Sequence, residues 1–231
     1  AEGSVAYKAV VDGEMVGGAV VVINEVSQHN HLDLLYVKYG TQTNGIGFKI
    51  WNAIEKFHPK VSAILNITPD HLNRHHTMEA YIQAKEDVAK NQTAEDTCVL
   101  NYEDEETRKF GEKVNAEVLY FSSQRKLEKG IYLEDGAIVY KDGEPIEVCR
   151  VNELKLLGTH NYENVMAATA MAIAYGVPMD IIRKTVKEFA GVAHRIEFVC
   201  EKNGVAYYND SKGTNPDAAI KGIQAMNRPT F

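Results

Sequence analysis

The chain lacks three features that would assign it to a large class of proteins. Its 231 residues include 25 Lys and Arg against 32 Asp and Glu, a net charge of −7, so no basic face for nucleic acid is expected. No apolar run approaches the roughly 20 residues of a membrane span. The three cysteines, Cys98, Cys149 and Cys200, form no C-x-x-C pair. Reduced thiols, and first residues unlike a signal peptide, predict a cytoplasmic protein.

A phosphate-binding loop of the form G-x-x-x-x-G-K-[ST] is also absent from the sequence. That loop cradles a nucleotide triphosphate with backbone N–H groups and a lysine. We therefore expect ATP binding to be weak. In an acidic chain, an anionic ligand must be met by local groups: backbone amides, a few Lys or Arg side chains, and a metal ion.

Turn signals and apolar periodicity predict an α/β protein. Turn signals at 134–136 and 141–143 predict a small antiparallel excursion between 118 and 148. The helix at 161–175 is apolar almost all round, which predicts a core helix that ends at Gly176. The predicted strands are 5–11, 14–23, 32–37, 61–67, 97–100, 198–202 and 205–208, and the predicted helices are 48–57, 77–91, 161–175, 181–189 and 217–226.

Lys85 lies within the apolar stripe of the helix predicted at 77–91. An ammonium on an inward face is costly unless it is paired, neutralised or modified. The alternative is that its stem packs while its head reaches water. The stripe has helical spacing and consists of Met78, Tyr81, Ile82, Val88 and Ala89.

His71 follows the strand predicted at 61–67, in the loop at 68–71. His71 and Lys85 on the next helix are placed to converge on one metal ion or phosphate. A zinc site built from His71 and His75 is an alternative, but Pro69 disfavours the helix that such an i, i+4 pair needs.

The string LNITPDHLNRH at 65–75, followed by Tyr81 and Lys85, resembles the central domain of the Mur ligases. Those enzymes join an amino acid to a nucleotide-sugar peptide with ATP. The resemblance implies that His71 binds Mg²⁺ and that Lys85 is carboxylated by CO₂, so that both are catalytic and metal-binding. A neutral amine that captures CO₂ becomes an anionic oxygen ligand, which suits Mg²⁺.

Three further strings extend this resemblance in the family's order. GTHNYEN at 158–164 resembles G-x-H-N-x-x-N, and implies that Asn161 and Asn164 contact the nucleotide. HRIE at 194–197 resembles H-R-x-E, and implies that Arg195 reaches ATP. The alternatives are a helix cap by Asn161 and a surface ion pair of Arg195.

YNDSKGTNP at 208–216 resembles the family's N-D-S-K-A-T-N-P, with Gly213 in place of the usual Ala. The resemblance implies that Asp210 binds the nucleotide side, and that Lys212, a catalytic residue, and Thr214 hold phosphate or the incoming carboxylate. Independently of the family, a Lys beside hydroxyls just before a helix N-terminus suits an anion.

The fold implied by the resemblance is α/β, a three-layer and mostly parallel sheet. The implied domains are a central ATP-binding domain at 60–193 without its phosphate loop, and the truncated start of a C-terminal domain at 194–231. The implied function is ligation of D-glutamate to UDP-N-acetylmuramoyl-L-alanine through an acyl phosphate, for peptidoglycan and the cell wall. ATP and Mg²⁺ are the implied cofactors, and the partners are small molecules rather than nucleic acid or membrane.

The first part of the chain, 1–59, resembles a different family. LLYV at 34–37, QTNGIG at 42–47 and the helix predicted at 48–57 resemble motif A of the GNAT-type N-acetyltransferases. The resemblance implies that Gln42, Asn44, Gly45 and Gly47 hold the pyrophosphate of acetyl-CoA. A strand-to-helix turn that needs glycine is the alternative.

Two resemblances in one chain leave three functions open: a Mur-type ligase, an acetyl-CoA-dependent acetyltransferase, or an inactive chimera. The junction lies near residues 57–60. If the helix at 48–57 and the strand at 61–67 continue one β-α-β unit, residues 42–47 would take the place of the missing ATP loop.

Overall fold

The computed structural model describes residues 2–11, 14–24, 31–37, 58–69, 72–213, 216–226 and 228–230. The chain divides into two compact units, Ala1–Val118 and Leu119–Phe231. Within the described residues, no helix has the length and apolar character needed to cross a bilayer.

The first unit begins with a three-stranded antiparallel sheet in the order β1-β2-β3. The hairpin predicted at 5–23 and the strand predicted at 32–37 are confirmed. The register of the hairpin shifts between Ala9 and Val10. The helix predicted at 48–57 lies outside the described residues. The strands are β1 (Glu2–Val11), β2 (Glu14–Asn24) and β3 (His31–Val37).

Strand β4 (Val61–Ile64) pairs in parallel with β5 (Thr97–Asn101). The prediction that β4 continues to residue 67 is wrong. After Ile64, hydrogen bonds to side chains replace the hydrogen bonds to a neighbouring strand. Asn101 Nδ2 donates to the carbonyl of Leu65 at 3.1 Å, and the N–H of Ile67 donates to Asp104 Oδ2 at 2.8 Å. These bonds satisfy backbone groups that leave the sheet, and the chain turns away after four residues.

The helix predicted at 77–91 is shorter than its apolar stripe. Helix α1 (Leu72–His75) precedes it, although Pro69 disfavoured a helix there. Helix α2 (Met78–Glu86) begins where the Thr77 hydroxyl accepts the N–H of Ala80 at 3.2 Å. From Asp87 to Ala89 the chain is a tighter 3₁₀ turn, a common end to an α-helix. Helix α3 (Glu105–Gly111) follows β5.

Strand β6 (Glu117–Ser122) follows α3 in the chain. The sheet order is β4-β5-β6-β7-β8-β9. β6 pairs in parallel with β7, whereas β7-β8-β9 is antiparallel, which confirms the predicted excursion. Both tight turns contain left-handed residues, for example Asp135 at φ 49° and Gly136 at φ 74°. These strands are β7 (Gly130–Glu134), β8 (Ala137–Asp142) and β9 (Glu144–Arg150).

Helix α4 (Thr159–Ala174) is only partly a core helix. Val165, Met166 and Ala170 are buried, but Ala168 and Met171 are exposed, so the predicted core helix buries one side only. The helix ends at Gly176 as predicted. Gly176 has φ 84°, and the N–H groups of residues 176 and 177 bond back to the carbonyls of residues 173 and 172.

The second unit continues with a helix, a hairpin and a last helix. These elements are α5 (Met179–Glu188), β10 (Glu197–Lys202), β11 (Val205–Asn209) and α6 (Pro216–Gln224). The hairpin predicted around Asn203-Gly204 is confirmed, with φ of 53° and 77° at its turn. Cys98 and Cys149 are buried free thiols and Cys200 is exposed. Burial raises the pKa of Cys149 to about 11, which keeps this thiol protonated at neutral pH.

A buried carboxylate ties the start of β4 to the start of β5. Asp96 is 4% exposed, and its Oδ2 lies 2.5 Å from His58 Nε2. The N–H and hydroxyl of Thr93 donate to the same oxygen at 2.8 and 3.0 Å. Burial by itself would raise the pKa of Asp96, but these hydrogen bonds outweigh it and lower the pKa to about 2.

Asp96→Asn is expected to lower the free energy of unfolding by about 2 kcal/mol at pH 7. Because folding depresses the pKa of Asp96 from 3.8 to about 2, its stabilisation is present above about pH 4 and is lost as the pH falls towards 2. Urea unfolding from pH 7 to pH 3 measures this effect. Exposed Glu95→Gln is the matched control, and equal acid sensitivity of wild type and Asp96→Asn would contradict the prediction.

Candidate functional site

Two of the predicted motifs, 194–197 and 208–213, are hydrogen-bonded to each other in the second unit. Asp210 Oδ1 accepts the N–H of Ile196 at 3.1 Å. The N–H of Lys212 donates to the carbonyl of His194 at 3.0 Å. Asn209 Nδ2 lies 2.9 Å from His194 Nδ1. The segment 194–197, called the linker from here on, and the loop before α6 therefore form one local structure.

Arg195 stands between two residues with left-handed backbone, His194 at φ 69° and Ile196 at φ 48°. Its own N–H donates to the carbonyl of Val192 at 3.2 Å. Its side chain is exposed, and among the described residues it has no hydrogen bond or ion pair. The alternative of a surface ion pair is thus not observed in the described part of the chain. The guanidinium is available to an anion.

The third motif, at 158–164, lies against the same region. Gly158 is the N-cap of α4, with φ 90°, and a methyl group added there would stand 2.6 Å from the Cβ of Ala225. The imidazole of His160 would be 3.0 Å from that methyl group. Burial lowers the pKa of His160, the charge of Lys221 lowers it further, and Glu163 and Asp210 act in the opposite direction.

The two asparagines of this motif are engaged locally. Asn161 Nδ2 donates to the carbonyl of Leu157 at 2.7 Å, and Asn164 Nδ2 donates to Asn161 Oδ1 at 3.4 Å. The alternative that Asn161 caps α4 is wrong, because the N-cap is Gly158 and Asn161 is three residues further along. Asn164 is exposed, and it lies on the same face of α4 as Asn161.

Sequence reasoning did not single out His160, Glu163 or Ser123. The Ser123 hydroxyl donates to Glu163 Oε1 at 2.5 Å, which joins the end of β6 to the first turns of α4. His160 and Glu163 lie within the quoted motif, and their charge was the available signal. No local signal marks Ser123, since its partner lies 40 residues away.

Lys212 is exposed at the end of the loop before α6. Among the described residues, its ammonium has no hydrogen bond or ion pair, while its backbone N–H donates to the carbonyl of His194. Thr214 lies outside the described residues. Arg195 and Lys212 therefore belong to one hydrogen-bonded segment, which presents two cations without carboxylate partners in the described part of the chain.

Lys85, in the first unit, is half-buried in the last turn of α2. Its Nζ lies 5.2 Å from the centroid of the Tyr81 ring, within cation–π range. The ring of His75 lies 5.3 Å from that of Tyr81. Lys85 forms no ion pair with a described residue. His71 lies outside the described residues, and so do Gln42, Asn44, Gly45 and Gly47.

A ready-made metal centre is not visible in the part of the chain that the structure describes. No three His, Cys, Asp or Glu side chains there are grouped to hold a metal ion. An amine is a poor ligand for Mg²⁺, which prefers oxygen. Lys85 could serve only after it gained a carboxylate group.

The profile described as "Mur ligase middle domain" matches residues 43–172, more than half of the chain. The chain belongs to the Mur ligase family. The match begins within the segment where the sequence resembled an acetyltransferase, and none of the relatives named below is an acetyltransferase.

Curated relatives carry a more specific name. The UDP-N-acetylmuramoylalanine–D-glutamate ligase of Lachnoclostridium phytofermentans is 62% identical over 179 residues, which are 77% of this chain and 39% of the relative. The enzymes of the same name from Lachnospira eligens and Clostridioides difficile are 57% and 50% identical, with 40% and 39% of their length covered. The chain thus spans about two fifths of these relatives.

Solved structures agree on the fold. MurF from Acinetobacter baumannii matches with a TM-score of 0.59 at 21% identity, covering 80% of this chain and 40% of that one. MurC from Thermotoga maritima matches with a TM-score of 0.56 at 21% identity, over 80% and 40%. The predicted α/β fold with a mostly parallel central sheet of the Mur ligase type is confirmed. The GNAT-like segment receives no support from these matches.

Gly158→Ala is expected to destabilise the protein by roughly 3 kcal/mol, because it adds a clash with Ala225 to the strain of a left-handed backbone. Gly176→Ala is the matched control. Gly176 also has positive φ, but nothing lies within 4 Å of its added methyl, so only the strain of roughly 1–2 kcal/mol is expected. Urea unfolding compares the two variants. Equal losses would show that the contact with Ala225 contributes nothing.

Proposed function

We propose that this chain binds ATP and Mg²⁺ as part of a ligase that adds D-glutamate to UDP-N-acetylmuramoyl-L-alanine. The observation that carries the proposal is the meeting of three motifs, 158–164, 194–197 and 208–213, around Asp210 and His160. The names of relatives that are 50–62% identical support the same activity. An MurF ligase from Thermotoga maritima was solved in complex with ADP, which supports an adenine nucleotide as ligand.

The proposed reaction has two steps. The γ-phosphoryl group of ATP passes to the carboxylate of the L-alanyl substrate, giving an acyl phosphate and ADP. The amine of D-glutamate then attacks the carbonyl carbon, loses a proton and expels inorganic phosphate as the amide forms. Charge on the transferred phosphoryl group must be stabilised in both steps.

The residues take the following proposed roles. Arg195 and Lys212 face phosphate oxygens, because both cations lack carboxylate partners in the described residues. Thr214 joins Lys212 on the phosphate or on the incoming carboxylate. Asn161 and Asn164 contact the nucleotide from the first turns of α4. Asp210 stands on the nucleotide side, with acceptor capacity beyond its bond to Ile196.

Mg²⁺ would be held by His71 and by a carbamate on Lys85. The carbamate forms when the neutral amine of Lys85 attacks CO₂ and releases a proton. Its half-buried position beside Tyr81, without an ion-pair partner in the described residues, supports Lys85 as the modified residue. When bound, Mg²⁺ offsets phosphate charge.

The domain division 1–59, 60–193 and 194–231 remains part of the proposal, as does a cytoplasmic location. The missing phosphate loop separates this chain from a complete ATP site. Residues 42–47 are the candidates to replace that loop. We do not propose acetyl-CoA as a ligand, because the comparisons give it no support.

ATP·Mg²⁺ is expected to bind weakly, with a dissociation constant on the order of 1 mM, because no phosphate loop is present. Arg195→Ala is expected to weaken binding about tenfold, through loss of a charge-assisted hydrogen bond. Lys202→Ala, an exposed lysine on β10, is the matched control. Isothermal calorimetry measures all three proteins, with acetyl-CoA titrated in parallel. Absence of heat with ATP·Mg²⁺ would contradict the proposal, and heat only with acetyl-CoA would favour the acetyltransferase.

Carboxylation of Lys85 is expected to be visible by carbon-13 NMR. Protein equilibrated with ¹³C-bicarbonate should give a carbamate resonance that is absent in Lys85→Ala, because Lys85 is half-buried beside Tyr81 and forms no ion pair with a described residue. Lys90→Ala, an exposed lysine in the turn after α2, is the control and should keep the resonance. A signal that survives in Lys85→Ala would assign the modification elsewhere.

A further inference from the structure

We infer that Asp210 is a positioning residue for Arg195. Its carboxylate, which lies against Gly213 and Gly222, holds the left-handed backbone of Ile196 next to Arg195 and thereby sets the direction of the Arg195 side chain. The importance of Arg195 rests on the proposed function, whereas the positioning itself is a property of the fold.

The segment around Arg195 is strained. Ile196 has φ 48°, which is unusual for any residue with a Cβ and more so for a β-branched side chain. His194 is left-handed as well, at φ 69°. Such conformations persist only where surrounding contacts over-determine them, and they cluster at functional sites. The contacts that hold these residues are therefore of interest.

Each backbone N–H of the segment has a partner. The N–H of His194 donates to Glu197 Oε2 at 2.8 Å, and the N–H of Arg195 donates to the carbonyl of Val192 at 3.2 Å. Both partners lie within three residues. The N–H of Ile196 donates to Asp210 Oδ1 at 3.1 Å. This bond has an ionisable acceptor, which gives a stronger hydrogen bond when charged, and it ties the strained segment to the loop before α6.

Two glycines make room for the Asp210 carboxylate. A methyl group at Gly213 would stand 2.7 Å from Asp210 Oδ2, and one at Gly222 would stand 2.9 Å from the same oxygen. Neither glycine has positive φ, so backbone conformation does not explain them. Gly222 lies inside α6, where glycine is unfavourable. Space for the carboxylate explains both.

Gly213 is the position where this chain departs from the usual Ala of the motif. With alanine at position 213, the Asp210 carboxylate would have to move away from its position beside Gly213 and Gly222. The hydrogen bond from the Ile196 amide would then lengthen or break. The glycine and the left-handed isoleucine are thus linked through one side chain. Gly213 therefore helps to set the backbone conformation next to Arg195 in this chain.

Hydrogen exchange at the Ile196 amide tests the hydrogen bond through which Asp210 would position Arg195. The full chain is labelled with ¹⁵N-isoleucine, and the Ile196 resonance is assigned by its loss in Ile196→Val. Asp210→Ala and Gly213→Ala are each expected to raise the exchange rate of the Ile196 amide about tenfold, because its acceptor is removed or displaced. Asp210→Asn keeps an oxygen acceptor of the same size but loses the charge, so it should raise the exchange rate less than Asp210→Ala does.

Two controls accompany these variants. Ser211→Ala changes the same loop without touching the carboxylate and should leave the Ile196 amide unchanged. The amide of Ile182, which donates to the carbonyl of Pro178 in α5, should exchange at the wild-type rate in every variant and so reports intact folding.

Unchanged Ile196 exchange in Asp210→Ala, or equal acceleration in Asp210→Asn and Asp210→Ala, would overturn the inference. Gly213→Ala provides an independent arm if Asp210→Ala fails to fold, and unchanged exchange there would overturn the role of the glycines. The outcome does not depend on nucleotide. If calorimetry finds no binding of ATP·Mg²⁺, the proposed function fails while the exchange result still decides the positioning.

Discussion

The hydrogen bond between the Ile196 amide and the Asp210 carboxylate is the constraint on which the second unit's site depends. It joins residues 14 positions apart and fixes the strained backbone on either side of Arg195. The Lys212 amide adds a second tie to the same segment. Together these bonds convert two separate motifs into one surface with two cations. A flexible linker would spread the Arg195 guanidinium over many orientations, at a cost in entropy when an anion binds.

Close packing of small residues brings the remaining motif to this surface. Gly158 and Ala225 approach each other so closely that a methyl group added at Gly158 would stand 2.6 Å from the Ala225 Cβ. His160 fills the space beside them, near Lys221 and Asp210. Burial and the charge of Lys221 both disfavour the charged imidazole and lower the pKa of His160. Arg195 and Lys212 are cations of these motifs that form no ion pair among the described residues, and neighbouring Lys221 forms none either.

The family assignment and the missing phosphate loop make this chain an instructive member of the Mur ligases. In an acidic protein, anion binding depends on a few cations kept free of carboxylate partners, and Arg195, Lys212 and Lys85 meet that condition among the described residues. Lys113, by contrast, is paired with buried Glu86 at 2.9 Å. Exposed Lys184, Lys202 and Lys221 also form no ion pair among the described residues, so the absence of a carboxylate partner does not by itself mark a site residue.

The hairpin turns and the end of α4 were determined by the sequence itself, because they depend on the steric limits of single residues. Asn203-Gly204 and Asp135-Gly136 supply left-handed pairs for hairpins, and Gly176 ends α4. The tertiary structure alone decided where β4 ends, which side of α4 is exposed, and which amide donates a hydrogen bond to the Asp210 carboxylate. These features depend on partners distant in sequence, such as Asn101 and Asp104 for β4, and no local pattern encodes the distance between them.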